Sequence, residues 1–100
     1  MADVLQPGRG CEIPVGEVSW RFSTSSGPGG QHANRANTRV ECRLDLLECR
    51  GPTDDQRQRL VTSLGHEVVV STDQTRSQHR NRAIALERLE LKLARALQPP

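Results

Sequence analysis

Aromatic side chains are scarce in this sequence. Trp20 and Phe22 are the only tryptophan and phenylalanine, and tyrosine is absent. A long base-stacking platform for single-stranded nucleic acid is therefore excluded, because such a surface needs several rings. Apolar residues make up only 34% of the 100 residues, so the core is small and consists mostly of leucine and valine. No apolar run is long enough to cross a bilayer, and no secretory signal is visible.

Cysteine is also infrequent and follows no ligand or disulfide pattern. The three cysteines are Cys11, Cys42 and Cys49, an odd number without a CxxC pair. This usage is typical of a protein in a reducing compartment. The cysteines and the three histidines are too scattered in sequence for a zinc site. We therefore expect neither a metal nor a cofactor.

Lysine is nearly absent, whereas arginine is abundant. Of the 14 basic residues, all but Lys92 are arginines, and the net charge is only +2. So small an excess argues against binding nucleic acid by bulk electrostatics, but it is compatible with a local phosphate-binding patch. Arg76, Arg80 and Arg82 form a run without an intervening acid. In general such a run is only a solvated surface, although arginine suits phosphate better than lysine does.

Periodicity predicts two strands separated by a long loop. Val18, Trp20 and Phe22 alternate with polar residues, which predicts a strand with one buried face. A second alternating pattern runs from Thr38 to Leu46 and predicts another strand that buries Cys42. The residues 23–36 between them are far more numerous than a hairpin turn requires. We expect residues 23–31 of this long loop to be mobile. Residues 1–12 lack periodicity and are expected to be disordered.

The second half of the sequence predicts two helices and a third strand. Thr53 and Gln56 form a capping-box pattern, and Gly65 ends that helix. Residues 68–70 predict a short central strand. Thr75 or Ser77 begins the last helix. Its apolar residues are Leu86, Leu89, Leu93 and Leu97. The order strand, strand, helix, strand, helix predicts a small α+β domain, one sheet with helices packed on one face.

The long loop contains the most informative sequence, Ser25-Ser26-Gly27-Pro28-Gly29-Gly30-Gln31-His32-Ala33-Asn34-Arg35. Gly29 and Gly30 have no Cβ atoms, so the backbone there can approach a ligand closely. Composition alone favours an ordinary flexible surface loop. The spacing excludes a Walker loop and a dinucleotide-binding fingerprint.

This segment resembles the catalytic Gly-Gly-Gln loop of peptide chain release factors. The resemblance covers residues 13–97 and is closest to the small peptidyl-tRNA hydrolases of ribosome rescue, which lack codon-reading domains. Further matching residues are Ile13, Pro14, Glu17, Asn37-Thr38-Arg39-Val40, Arg76-Ser77-Gln78 and Asn81. This extended pattern is specific, whereas a lone Gly-Gly-Gln triplet would be weak.

The resemblance implies codon-independent hydrolysis of the ester between peptide and tRNA on stalled ribosomes. The implied partners are P-site peptidyl-tRNA and the ribosomal RNA of the peptidyl transferase centre, with the protein acting as a monomer. The implied catalytic residues are Gly29, Gly30 and Gln31. The residues expected to contact RNA are His32, Asn34, Arg35, Arg39, Arg76, Arg80 and Arg82. His66 and His79 are expected to be ordinary surface residues.

Two other functions remain open at this level. The domain could be a non-catalytic ribosome- or RNA-binding module of the same fold. It could also hydrolyse free peptidyl-tRNA, although no paired His and Asp supply a base for that reaction. In the resemblance the family usually carries a basic tail, and we expect residues 98–100 to be a frayed end at which such a tail begins. The alternative is a relative that has no tail. The expected location is bacterial cytoplasm, with the mitochondrion as the alternative.

Overall fold

The computed structural model describes residues 4–24 and 38–99. It confirms a small α+β domain, but with two sheets rather than one. The elements in chain order are β1 (Val4–Gly8), β2 (Cys11–Pro14), a single 3-10 turn (Val15–Glu17), β3 (Ser19–Thr24), β4 (Thr38–Asp45), α1 (Asp54–Leu64), β5 (Glu67–Thr72) and α2 (Gln78–Leu97). None of the helices among these residues is long and apolar enough to cross a membrane.

The larger sheet has the order β3-β4-β5, with every pair antiparallel. Cys42 of β4 is aligned with Trp20 of β3 and with Val70 of β5. Residues 68–70 were predicted to form the central strand of the sheet, and this place in the strand order was wrong. The strand exists, but β4 is central, because it forms a hairpin with β3 on one side and pairs with β5 on the other.

The two aromatic residues are less buried than the alternation predicted. Phe22 is 43% exposed and Trp20 is half-buried, although both lie on the same face of the sheet as the buried Val40 and Cys42. The reason is that β3 is an edge strand, so the core covers only one side of its side chains. The two rings stack in parallel with their centroids 6.1 Å apart.

Helix α1 begins where the capping-box pattern predicted. The Thr53 hydroxyl accepts from the Gln56 backbone N–H at 3.2 Å, and the Gln56 side chain accepts from the Thr53 backbone N–H at 2.9 Å. Gly65 ends the helix with φ of +89°, in the region that favours glycine. Leu60 is the buried residue of this helix.

Helix α2 begins with Ser77 as its N-cap, one of the two predicted starts. The Ser77 hydroxyl accepts from the Arg80 backbone N–H at 3.1 Å. The helix buries one residue every four positions against the three-stranded sheet and the β1–β2 hairpin. These buried residues are Asn81, Ala85, Leu89, Leu93 and Leu97.

The disorder predicted for residues 1–12 is not what residues 4–12 show. They form β1, a turn and the start of β2, and Leu5, Cys11 and Ile13 are buried in the core. Arg9 and Gly10 in the turn both have positive φ, as tight hairpin turns require. The hairpin is attached by long-range bonds, from the Gln6 backbone N–H to Glu90 (2.7 Å) and from Arg9 Nε to the Leu97 carbonyl (3.0 Å). Because the partners in these bonds lie on α2, far away in the sequence, the hydrophobic periodicity of residues 1–12 alone could not reveal that the hairpin is ordered.

Candidate functional site

The two strand ends that residues 25–37 connect form one cross-strand pair. Thr24, the last residue of β3, is the partner of Thr38, the first residue of β4. In an antiparallel ladder such partners lie about 4.5–5.5 Å apart. The domain therefore holds both ends of this segment side by side on a hydrogen-bonded sheet. The predicted site residues Gly29, Gly30, Gln31, His32, Asn34 and Arg35 lie outside the described residues.

The other four predicted RNA contacts are exposed. Arg39 follows Thr38 on the side of β4 away from the core, and Arg76 directly precedes the N-cap of α2. Arg80 and Arg82 lie in the first turns of α2. The Thr38 hydroxyl donates to the Arg76 carbonyl at 3.1 Å, so these cations belong to two elements that meet at the base of the segment.

Arg82 also contacts an aromatic ring. Its guanidinium carbon lies 4.6 Å from the centroid of the Trp20 ring, within the range of a cation–π interaction. Stacking leaves the edge N–H groups of a guanidinium free to donate, so this contact does not prevent phosphate binding. It does fix the position of Arg82 beside β3.

A buried polar cluster lies directly behind the Thr24–Thr38 pair. The Asn81 side chain is fully buried, and its Nδ2 donates to the carbonyls of Thr38 (2.5 Å) and Thr75 (2.8 Å). Its Oδ1 accepts from the backbone N–H (3.1 Å) and from the hydroxyl (3.0 Å) of Thr75. Both donors and both acceptor positions of the amide are thus occupied.

From the sequence, Asn81 was identified only as a matching residue of the resemblance and Thr75 only as a possible helix start, and the Thr38 backbone was assigned no role. The available signal was the position of Asn81, which is four residues before Ala85 and in line with Leu89, Leu93 and Leu97. An amide in an otherwise apolar helical stripe needs partners, because burying it unpaired costs free energy. The partners themselves come from two distant elements and could not be identified from spacing.

The three cysteines are buried and free. Burial is the main cause that raises the pKa of each thiol, and the nearby Cys49 raises the pKa of Cys11 further. Arg57 acts in the opposite direction on the pKa of Cys49, and its guanidinium also donates to the carbonyls of Leu46 and Cys49, both at 2.9 Å. These thiols are therefore protonated core residues at neutral pH. His66 and His79 are exposed, as predicted.

The described residues define a small α+β domain in which the ends of β3 and β4, the strands that residues 25–37 connect, lie next to exposed arginines. The chain belongs to the RF-1 domain family, whose sequence pattern matches residues 7–99. This confirms the release-factor-like resemblance. The match extends beyond both ends of residues 13–97.

The chain is also similar in sequence to two further proteins. The chain is 31% identical over 94 residues to the large ribosomal subunit protein mL62 of Mus musculus, a match that covers 88% of this chain and 46% of the mouse protein. It is 27% identical over 96 residues to an uncharacterized protein of Saccharomyces cerevisiae, covering 88% of this chain and 48% of the yeast protein. The chain thus spans about half the length of these relatives.

Proposed function

We propose that this protein hydrolyses the ester between a nascent peptide and the 3′ ribose of P-site tRNA on stalled ribosomes, without reading a codon. In this reaction a water oxygen bonds to the ester carbonyl carbon and the bond to the 3′ oxygen breaks. The 3′ oxygen receives a proton, so the products are a free peptide carboxyl group and deacylated tRNA. Residues 25–37 act in the peptidyl transferase centre.

The observation that supports this proposal is the Gly29-Gly30-Gln31 triplet within a member of the RF-1 domain family. The location of the triplet adds to this support. It lies in the segment whose two ends are the paired residues Thr24 and Thr38. A sheet that holds both ends is a rigid base, and catalysis depends on such rigidity because small displacements cost large factors in rate.

Backbone chemistry is the basis of the proposed mechanism. Gln31 does not titrate near neutral pH, so its side chain is not a general base. Its backbone N–H is suited to donate to the leaving 3′ oxygen, where negative charge develops in the transition state. Gly29 and Gly30 let the chain approach among packed nucleotides, and the Gln31 side chain shapes the space for water.

Ribosomal RNA is the proposed partner of seven basic, histidine or amide side chains in and beside residues 25–37. His32, Asn34 and Arg35 within the segment, and Arg39, Arg76, Arg80 and Arg82 at its base, would contact phosphates. The absence of an acid between Arg76 and Arg82 supports this role. A local patch suits a protein whose net charge is only +2, because its binding depends on position rather than on total charge.

A single-turnover release assay tests the proposal. Ribosomes stalled on a truncated mRNA with labelled peptidyl-tRNA are mixed with an excess of the full-length protein, and released peptide is measured over time. We expect release by the unaltered protein and none by Gly30→Ala, which should still co-sediment with ribosomes. Absence of release by the unaltered protein, despite binding, would contradict the proposal.

That last outcome would support the second candidate, a non-catalytic ribosome-bound module. The observation that favours it is the mouse relative, which is named as a ribosomal protein. The same assay on free peptidyl-tRNA distinguishes hydrolysis off the ribosome. Comparable rates on free and ribosome-bound substrate would contradict a requirement for the ribosome.

The location proposed here is the mitochondrion rather than a bacterial cytoplasm. Both relatives are from eukaryotes, which supports the organellar alternative. Fractionation of cells that express the tagged full-length gene product tests it. Recovery of the protein in the cytosolic fraction alone would contradict this location.

A further inference from the structure

We propose that Asn81 is a positioning residue for the release reaction, which it affects by fixing Thr38 at the base of residues 25–37. This inference rests on the proposed function and adds a residue that does not itself touch the substrate. The sequence resemblance includes Asn81 but gives it no role. The geometry of its four hydrogen bonds is what suggests one.

Thr38 pairs with a neighbouring strand on one side only, because β4 has a partner in β3 at this position but none in β5. The pairing of β4 with β5 begins at Val40 and Thr72, so β4 extends two residues beyond its last partner in β5. At this point the Asn81 amide donates to the Thr38 carbonyl at 2.5 Å. Asn81 therefore continues the fixation of β4 up to the residue that adjoins the inserted segment.

The Asn81 amide is itself held rigidly. Its other three hydrogen bonds all join it to Thr75. The Thr75 hydroxyl oxygen also accepts from the Ser77 backbone N–H at 3.0 Å, and the Ser77 carbonyl, 3.1 Å away, shares its single hydrogen with Asn81 Oδ1. Because two carbonyls face the Nδ2 atom and a backbone N–H faces the Oδ1 atom, only one orientation of the amide satisfies the cluster. The side chain that binds Thr38 is therefore held in one orientation on α2.

A second hydrogen bond of Thr38 connects β4 to the segment that carries Arg76. The Thr38 hydroxyl donates to the Arg76 carbonyl at 3.1 Å, one residue before the N-cap Ser77. Displacement of Thr38 would therefore alter the relation between the inserted segment and the N-terminal end of α2. If this end contacts ribosomal RNA, the cluster determines where the segment lies once the protein has bound.

Loss of the bond between Asn81 and Thr38 is expected to lower the rate of peptide release by the ribosome-bound protein, but not its affinity for ribosomes. Removing one anchor lets the segment occupy more positions, and a displacement of about 1 Å can cost about 100-fold in rate. The exposed arginines remain on α2, so the affinity for ribosomes changes little. A merely structural role would lower stability without this division between rate and affinity.

The first variant is Asn81→Asp, which has nearly the same shape and keeps the acceptor for Thr75, but it places a carboxylate against the Thr38 carbonyl. A matched control is Leu93→Val, which weakens the same buried stripe three turns away. Urea unfolding measures the stability of each variant, and release is assayed at a temperature at which both are folded. We expect Asn81→Asp to lower the maximal release rate about 10- to 100-fold with less than about a twofold change in half-saturating concentration, and Leu93→Val to leave both unchanged.

The second pair of variants keeps the inference testable if Asn81→Asp fails to fold. Thr75→Val removes the hydroxyl that donates to Asn81 Oδ1, and Thr75→Ser retains it. We expect a lower release rate for Thr75→Val and recovery for Thr75→Ser. A folded Asn81→Asp or Thr75→Val with the unaltered rate, or equal losses in Leu93→Val, would overturn the inference while release by the unaltered protein upholds the proposed function. Absence of release by the unaltered protein would overturn both.

Discussion

The guanidinium of Arg82 on α2 lies over the ring of Trp20 on β3, with 4.6 Å between the guanidinium carbon and the ring centroid. This contact joins the last helix to the edge strand that leads into residues 25–37. Because Arg82 is exposed and Trp20 is half-buried, the contact is only partly desolvated. Its free energy is accordingly modest.

We expect a double-mutant cycle to measure this contact directly. Arg82→Ala, Trp20→Leu and the double variant should give a coupling free energy of about 0.5–1 kcal/mol, the range for exposed cation–π pairs. Urea unfolding provides the three values. Arg88→Ala is the control, because Arg88 lies on the same helix but beside Val69 and Ser71 of β5, and it should not couple to Trp20. A coupling near zero for Arg82 would show that the stacking contributes nothing.

Gly51 is expected to tolerate no side chain. Its φ is +121°, and a Cβ atom there would collide with the backbone carbonyl of Glu12 in β2. Gly51→Ala should therefore lower the free energy of unfolding by about 2 kcal/mol or more, since both strain and a displaced backbone contribute. Gly16→Ala is the matched control, because nothing lies within 4 Å of the Cβ that it would add. Equal effects of the two substitutions on the urea midpoint would disprove this explanation.

The local signals in the sequence were sufficient for most of the fold. The capping box at Thr53 and Gln56, the helix start at Ser77 and the alternation along β4 each depend on neighbouring residues, so the sequence alone specifies them. The β1–β2 hairpin was missed for the opposite reason. Its order depends on contacts such as that between Arg9 and Leu97, which are 88 positions apart.

The candidate site shows the same division. The motif residues and the arginines could be identified from the sequence, because a resemblance of residue types is readable without coordinates. The bonds from Asn81 to Thr38 could not be, since they join residues 43 positions apart. The exposure of Phe22 was mispredicted because alternation indicates which face a residue occupies but not whether its strand lies at an edge.

The buried cysteines predict a loss of stability in alkaline solution. Burial raises the pKa of all three thiols in the folded protein, so the folded state holds these protons more tightly than the unfolded state does. The free energy of unfolding should be constant with respect to the thiols below their ordinary pKa of about 8.5 and fall as the pH rises above it. The chain has no tyrosine and a single lysine, so few other groups titrate in this range.

Urea unfolding between pH 7 and pH 10 in the presence of a reductant measures this dependence. A variant with alanine in place of Cys11, Cys42 and Cys49 is the control. It should be less stable at pH 7 because its core has lost volume, but its stability should vary less with pH. An equal slope in both proteins would show that the thiols are not the cause.

Gln31→Pro and Gln31→Ala separate the backbone of the proposed catalytic residue from its side chain. Proline lacks the N–H that would stabilise the leaving oxygen, and loss of one such donor costs about 10²–10³ in rate. Alanine keeps the N–H, so release should be weakened but not abolished. Single-turnover release on stalled ribosomes measures both rates, and co-sedimentation verifies that both variants still bind. Release by Gln31→Pro at nearly the unaltered rate would rule out the backbone N–H and assign the chemistry to another group.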